Sequence, residues 1–173
     1  MTPTLFTDRL RLRARTIDDA DALFPTLSDP DLMRWWSHGP HISVAETRAD
    51  FARKTDGNWR AWAMTQGDDI AIGFVAAGEK RQGGVFEIGY MLARSHWHRG
   101  IAREAVSAVI DQLVLVEGAR RVFADTDLDN AASIGLLERL GFQREGVLRG
   151  EWETHIGVRD SLILGLLATD WRQ

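Results

Sequence analysis

The stretch Arg94-Ser95-His96-Trp97-His98-Arg99-Gly100-Ile101-Ala102-Arg103-Glu104-Ala105 limits what this chain folds into more than any other. It follows the apolar run Val85-Phe86-Glu87-Ile88-Gly89-Tyr90-Met91-Leu92, which reads as a strand. After it, Ile101, Ala102, Ala105, Val106, Val109, Ile110 and Leu113 recur at helical spacing along one face. A short basic turn containing one glycine therefore joins a strand to the N-terminus of an amphipathic helix.

That geometry has a chemical use. The first turn of a helix carries backbone N–H groups without intrahelical partners, and its dipole adds partial positive charge, so an anion such as a pyrophosphate fits there. Gly100 removes the side chain where backbone would approach a phosphate, and Ala102 keeps the next position small. Arg94, Arg99 and Arg103 add potential charge-assisted bonds. An ordinary strand-to-helix connection with solvated arginines has the same pattern, and this stretch alone does not separate the two.

A second stretch does. Arg121-Val122-Phe123-Ala124-Asp125-Thr126 reads as another strand, followed by Asp129-Asn130-Ala131-Ala132-Ser133-Ile134-Gly135-Leu136-Leu137-Glu138-Arg139-Leu140-Gly141-Phe142. Asn130 suits an N-cap and Gly141 the position just past a helix end. The pair R-G-I-A-x-E-A and, about thirty residues later, N-x-x-S-x-x-L-L-E-x-x-G-F resembles the acetyl-CoA-binding core of the GNAT superfamily of N-acetyltransferases. Within it the chain resembles the RimJ/RimL-type branch, which acetylates N-termini of ribosomal proteins. Thr7-Asp8-Arg9-Leu10-Arg11-Leu12-Arg13, Glu87-Ile88-Gly89-Tyr90, and Glu145-Gly146-Val147-Leu148-Arg149 with Gly157 and Asp160 are similar to that branch's opening strand, central strand and closing hairpin.

The resemblance implies an α/β (α+β) fold with a mixed, mostly antiparallel central sheet flanked by helices, and acetyl-CoA in the splay between its central strands. It spans the chain from about Leu5 to Trp171, and the 173 residues read as one N-acetyltransferase domain. The remaining pattern agrees. Leu10, Leu12 and Ala14 alternate with Arg9, Arg11, Arg13 and Arg15 as a half-exposed strand does; the arginines read as a solvated face, or as a patch for an acidic substrate. Thr16 starts a helix with a stripe at Ala20, Leu23, Phe24 and Leu27, Pro30 opens a short one, and Ser43 opens a third to about Lys54. Asn58 to Thr65 and Ile70 to Ala77 read as strands, with turns at Gly67-Asp68-Asp69 and Lys80-Arg81-Gln82-Gly83-Gly84, and the last hairpin runs from about Phe142 to Leu167.

Acetyl transfer from a thioester needs a neutral amine, a polarised carbonyl and a stabilised leaving thiolate. An α-amino group (pKa ~8) is neutral in roughly one molecule in ten at pH 7, a lysine amine in only about one in 2,500, so an N-terminal acceptor needs only a modest base. Base candidates are Glu87 on the central strand, where the superfamily often has one, and Glu151 and Glu153, which share parity on the closing hairpin where the ribosomal-protein branch carries its glutamate; anchoring on Gly157 favours Glu153. Many superfamily members have a tyrosine acid at the position of Leu137. The ribosomal-protein branch uses a serine three residues after the asparagine, which is Ser133 here, so the resemblance implies that Ser133 bonds the CoA sulfur and relays a proton. Asn130 bonds the pantetheine amides, caps its helix, or both. Pantetheine would pair along Met91, Leu92 and Ala93, with Arg94, His98, Arg99, Gly100, Ile101, Ala102 and Arg103 around the pyrophosphate. The resemblance implies an aromatic acceptor wall at Trp35 and Trp36, joined by Tyr90, the chain's one tyrosine; two core or surface tryptophans closing a loop is the other reading.

The expected activity is acetyl-CoA-dependent transfer of an acetyl group to a primary amine, either a protein N-terminal α-amine or a small molecule. The loss of tyrosine at Leu137 leaves open a non-catalytic acyl-CoA-binding or sensing module, and a nucleotide-phosphate binder is a third reading. Acetyl-CoA is the donor and no metal is expected: His38 and His41, or His96 and His98, lack helical spacing and partner acids. A net charge of −4 without basic clusters disfavours nucleic acid. No apolar run reaches the ~20 residues of a membrane span, no signal peptide is visible, and the absence of cysteine fits the cytoplasm. The oligomeric state stays open, a homodimer included.

Overall fold

The computed structural model describes residues 2–53, 59–81 and 83–171. Its backbone is one eight-stranded sheet built from β1 (Leu5–Phe6), β2 (Arg11–Ala14), β3 (Arg60–Thr65), β4 (Gly73–Arg81), β5 (Val85–Leu92), β6 (Arg121–Asp127), β7 (Gln143–Thr154) and β8 (Gly157–Leu167). The strand order is β1-β2-β3-β4-β5-β6-β8-β7. Every pairing is antiparallel except that of β5 with β6. The expected mixed, mostly antiparallel sheet is what forms.

Strand alternation sorts the apolar side chains onto two faces. Trp62, Met64, Val75, Ala77, Ile88 and Leu92 pack on one face with Ile101, Ala105, Val106, Val109 and Ile110 of α4 (Ile101–Asp111) and Ile134 and Leu137 of α5 (Ala131–Arg139). Their neighbours Ala63, Phe74 and Met91 pack on the other, under Leu23 and Leu27 of α1 (Ala20–Leu27) and Met33 of α2 (Pro30–Met33), with Phe51 of α3 (Val44–Ala52) against them. The helix starts are the expected ones. Thr16 and Asp19 form a capping box, Asp29 accepts from Asp31 and Leu32 ahead of Pro30, and Ser43 accepts from the Glu46 amide.

Two boundaries differ from the periodicity. β4 begins at Gly73 rather than Ile70 and runs through Lys80 and Arg81, which the sequence places in a turn. The chain reverses instead where Gly83 and Gly84 both take positive φ, +80° and +76°, a conformation costly for other residues. Lys54 and Asn58, at expected ends of α3 and β3, and Gln82, in the middle of that turn, lie outside the described residues.

Of the arginines expected on a solvated face, Arg9 and Arg11 are exposed and Arg13 and Arg15 are half-buried, and each is tied to a partner. Arg11 and Arg13 both reach Asp69, Arg13 also holds Asp19 at 2.6 Å, and Arg15 lies over the Phe51 and Phe74 rings. Arg9 pairs with Glu104 in the first turn of α4 and donates to the Arg99 carbonyl at 2.9 Å. Arg9, in the connection from β1 to β2, thus braces the basic turn.

Candidate active site

The one parallel pairing among the described residues makes the site. β5 and β6 are in register at Val85↔Arg121, Phe86↔Val122 and Glu87↔Phe123. Beyond Glu87 and Phe123 both strands continue, β5 to Leu92 and β6 to Asp127, without pairing to each other. The splay leaves backbone donors and acceptors of β5 facing a gap, which an extended ligand can take up as an added strand. A cavity of about 780 Å³ occupies this gap. Glu87 and Tyr90 lie three residues apart, on opposite faces of a regular strand, and both line it.

At one end of the cavity is the basic turn. His98 (φ +59°) and Gly100 (φ +75°) both adopt left-handed backbone. Among the described residues, none of the backbone amides of 98–103 donates to an acceptor of the chain. Successive free amides at the start of the eleven-residue helix α4 form an anion cradle reinforced by the helix dipole. His96, His98, Gly100, Ile101, Ala102 and Arg103 line the cavity there. Glu104 leaves its position in the first turn free of competition by binding sideways, to the Thr7 hydroxyl and the Arg9 guanidinium; these bonds hold its carboxyl below the usual range against the opposing effect of burial.

In the middle, Asn130 accepts from the Ser133 amide at 3.2 Å and so caps α5. Ser133 of that helix contacts Tyr90 of β5. Its Oγ lies 2.7 Å from the Tyr90 hydroxyl, and burial pushes the Tyr90 phenol up to about 12. Glu87 is also pushed up from its ordinary value by burial, against the Lys80 ammonium 3.2 Å away. Met91 and Leu92 line the cavity as well.

At the far end the walls are aromatic. Trp35 and Trp36, from the segment after α2, both line the cavity; Trp36 also packs on Phe74, with ring centroids 5.9 Å apart. Sequence reasoning missed three further tryptophans of the cavity, one of them, Trp97, in the basic turn itself. Trp59, Trp97 and Trp152 line the same cavity, which makes five of the chain's seven. Trp152 donates from its indole to Asp125 at 3.0 Å. The count of tryptophans in so short a chain was the available signal.

Other expected site residues are placed elsewhere. Arg94 turns to Asp29 at 3.0 Å and Asp31 at 3.5 Å, with its guanidinium over Trp97, so it ties the turn to α2 and is not among the cavity-lining residues. Ala93 and Arg99 do not line the cavity either; the Ala93 amide donates to the Ile72 carbonyl. Glu151 and Glu153 do share parity, but their strand neighbours Trp152 and Thr154 are the ones that face the cavity. Leu137 is fully buried in the core, while Leu136 lines the cavity. The expectation that His38 and His41 lack a partner acid does not hold. Asp50 of α3 brings a carboxylate oxygen within 4.8 Å of a ring nitrogen of each.

Comparison with known proteins agrees with this geometry. Residues 9–143 match the family model described as the acetyltransferase (GNAT) domain. The uncharacterized N-acetyltransferase YoaA of Bacillus subtilis (strain 168) is 36% identical over 159 residues, covering 86% of this chain and 88% of YoaA. Two solved structures share the fold at 20% identity. They are spermidine N-acetyltransferase from Vibrio cholerae in complex with CoA and spermine (TM-score 0.82, covering 95% of this chain and 99% of that one) and RimL, the ribosomal L7/L12 alpha-N-protein acetyltransferase, in complex with coenzyme A (TM-score 0.81, 95% and 98%). With the family model covering most of its length, the chain belongs to the GNAT family and is an acetyltransferase.

Proposed function

We propose that the protein transfers the acetyl group of acetyl-CoA directly to a primary amine, as the RimJ/RimL-type branch does with protein N-termini. The observation that carries this is the splay of β5 from β6, with an amide cradle at one end and a tryptophan wall at the other, all in one cavity. Pantetheine adds to the free edge of β5 at Met91 and Leu92, and the pyrophosphate sits on the amides of 98–103, with Arg103 and His98 beside it. The resemblance to CoA-bound RimL and spermidine acetyltransferase supports this placement.

Glu87 is the base of the proposed reaction. It lines the cavity, and its carboxyl, raised by burial, is nearer the pKa that general-base work at neutral pH favours. Glu151 and Glu153 are the weaker choice because Trp152 and Thr154 take the cavity face of β7. The acceptor amine lies between Glu87 and Asp125, with its apolar body against Trp35, Trp36, Trp59 and Trp152. A protein N-terminal α-amine needs the least help in losing its proton. The whole reaction is placed in the cytoplasm, on a 1–173 domain that works without a metal.

The test is CoA thiol release from acetyl-CoA with peptides of varied N-termini, polyamines and small aromatic amines. Release above background hydrolysis with at least one class is expected, falling about a hundredfold in Glu87→Gln. Tight acetyl-CoA binding with no release for any amine would overturn this reading in favour of a non-catalytic acyl-CoA sensor.

A further inference from the structure

We propose that His38, His41 and Asp50 form a zinc site that fastens the segment carrying Trp35 and Trp36 to α3. A ring nitrogen of each histidine and a carboxylate oxygen of Asp50 lie within 4.8 Å of one another, and the two rings are stacked with centroids 5.2 Å apart. His38 Nδ1 lies 3.0 Å from the Gly39 carbonyl, which only accepts, so Nδ1 carries the hydrogen and Nε2 the lone pair. His41 Nδ1 lies 2.9 Å from the Thr47 hydroxyl, which also lies 3.4 Å from the Ser43 carbonyl. Both contacts are hydrogen bonds in one arrangement only. The hydroxyl donates to the carbonyl, His41 Nδ1–H donates to the hydroxyl, and Nε2 is again the nitrogen with a lone pair. Oxygen partners on the second nitrogen are what orient histidines that bind metals.

The third ligand is available as well. Among the described residues, the Asp50 carboxylate accepts no hydrogen bond, and Arg53, its ion-pair partner, stands off at 3.8 Å. Glu46 of the same helix is occupied by the Ile42 amide at 2.7 Å. No fully buried side-chain nitrogen or oxygen among the described residues lacks a partner. The unpaired Nε2 of His41 is therefore open to solvent, although the residue as a whole is only 6% exposed. Two imidazoles and one carboxylate select a borderline transition ion over magnesium or calcium. Zinc takes such a set with water in its fourth position.

Zinc bonds of about 2.0–2.1 Å hold tetrahedral ligands roughly 3.4 Å from one another, so the ion draws the three residues together. The movement falls to His38, which is exposed, because His41 is buried against Thr47 and Asp50 stands on a helix. The His38 ring lies 6.3 Å from that of Trp36, which packs on Phe74 and lines the cavity. His38, His41 and Asp50 are themselves not among the cavity-lining residues. The ion sits behind the tryptophan wall, takes no part in acetyl transfer, and holds the wall in one arrangement ahead of the amine. Binding of zinc stands apart from the acetyltransferase reading; its effect on the amine rests on that reading.

The experiment is calorimetric titration of untagged, EDTA-stripped protein with zinc chloride at pH 7.5. Wild type is compared with His38→Ala, Asp50→Asn and, as a control for scattered histidines, His96→Ala. One ion per chain is expected, bound at least about tenfold more weakly by His38→Ala and Asp50→Asn and unchanged in His96→Ala. Zinc should raise the Tm of wild type and not that of His38→Ala, a surface variant that keeps the core intact. Tryptophan emission should change on zinc binding, and Trp36→Phe should lose that change while keeping the affinity. With an accepted amine, zinc should lower its KM by about threefold or more and leave acetyl-CoA affinity as it was. No zinc binding, or binding that His38→Ala and Asp50→Asn leave intact, would overturn the site. Zinc binding that moves neither the emission nor the KM would overturn its link to the wall. Failure to acetylate any amine would instead remove the acetyltransferase reading and leave the zinc titration standing.

Discussion

A methyl group is the smallest probe of the basic turn. At Gly100 it would force an L-residue into φ +75°, and its Cβ would sit 3.4 Å from an Arg9 nitrogen. Gly100→Ala is expected to cost about 1–2 kcal/mol in urea unfolding and to weaken acetyl-CoA binding, read by calorimetry. His98 shares the left-handed backbone at φ +59° without being glycine, so His98→Gly should relax the turn and hold or raise stability. At Gly78 the reason for glycine is different. A Cβ there would lie 2.5 Å from the Trp59 indole, which crosses β4 to reach the cavity. Gly78→Ala should displace Trp59 and change KM for the amine while leaving acetyl-CoA affinity nearly unchanged. The tryptophan contacts and the backbone of His98 were invisible in the sequence, because they depend on which strands lie side by side, not on local spacing.

At the scale of elements, the strand-turn-helix units were legible because their signals are local. Alternation, the caps at Thr16, Ser43 and Asn130, and Gly141 past the end of α5 follow from neighbouring residues. The start of β4 was misjudged, since the pairing with β3 and β5 decides it: Gly73 lies opposite Met64 on one side and Leu92 on the other. The parity of the hairpin glutamates was read correctly, but which parity faces the cavity depends on the sheet's closure around β6. The segment carrying Trp35 and Trp36 is anchored by His41, which is buried, bonds Thr47 at 2.9 Å through Nδ1 and donates its amide to the Leu27 carbonyl. Burial lowers the His41 pKa from 6.5, so below that pH the unfolded chain takes up a proton that the folded chain resists. The anchor's stability is whole above pH 6.5 and declines as pH falls below it. Thermal unfolding from pH 7.5 to 5 should show that decline, and His41→Gln should flatten it.

For the whole molecule, the strands and helices of the described residues serve to hold one pair of strands apart in the middle of a continuous sheet. Antiparallel neighbours support β5 through β4 and β6 through β8, and α4 and α5 close one face, so both strands are held on their outer sides. The amide cradle, the Tyr90–Ser133 pair and the tryptophan wall are three stations along that gap. The account stands on the first of them. The most direct measurement is calorimetric titration of the wild-type protein with acetyl-CoA and, separately, with S-acetylpantetheine, which lacks the pyrophosphate and nucleotide. If the free amides of 98–103 hold the pyrophosphate, acetyl-CoA binds at least about a hundredfold more tightly, and the difference shrinks in Gly100→Ala. Equal affinity for the two, or no binding of acetyl-CoA at all, would contradict the assignment of the turn.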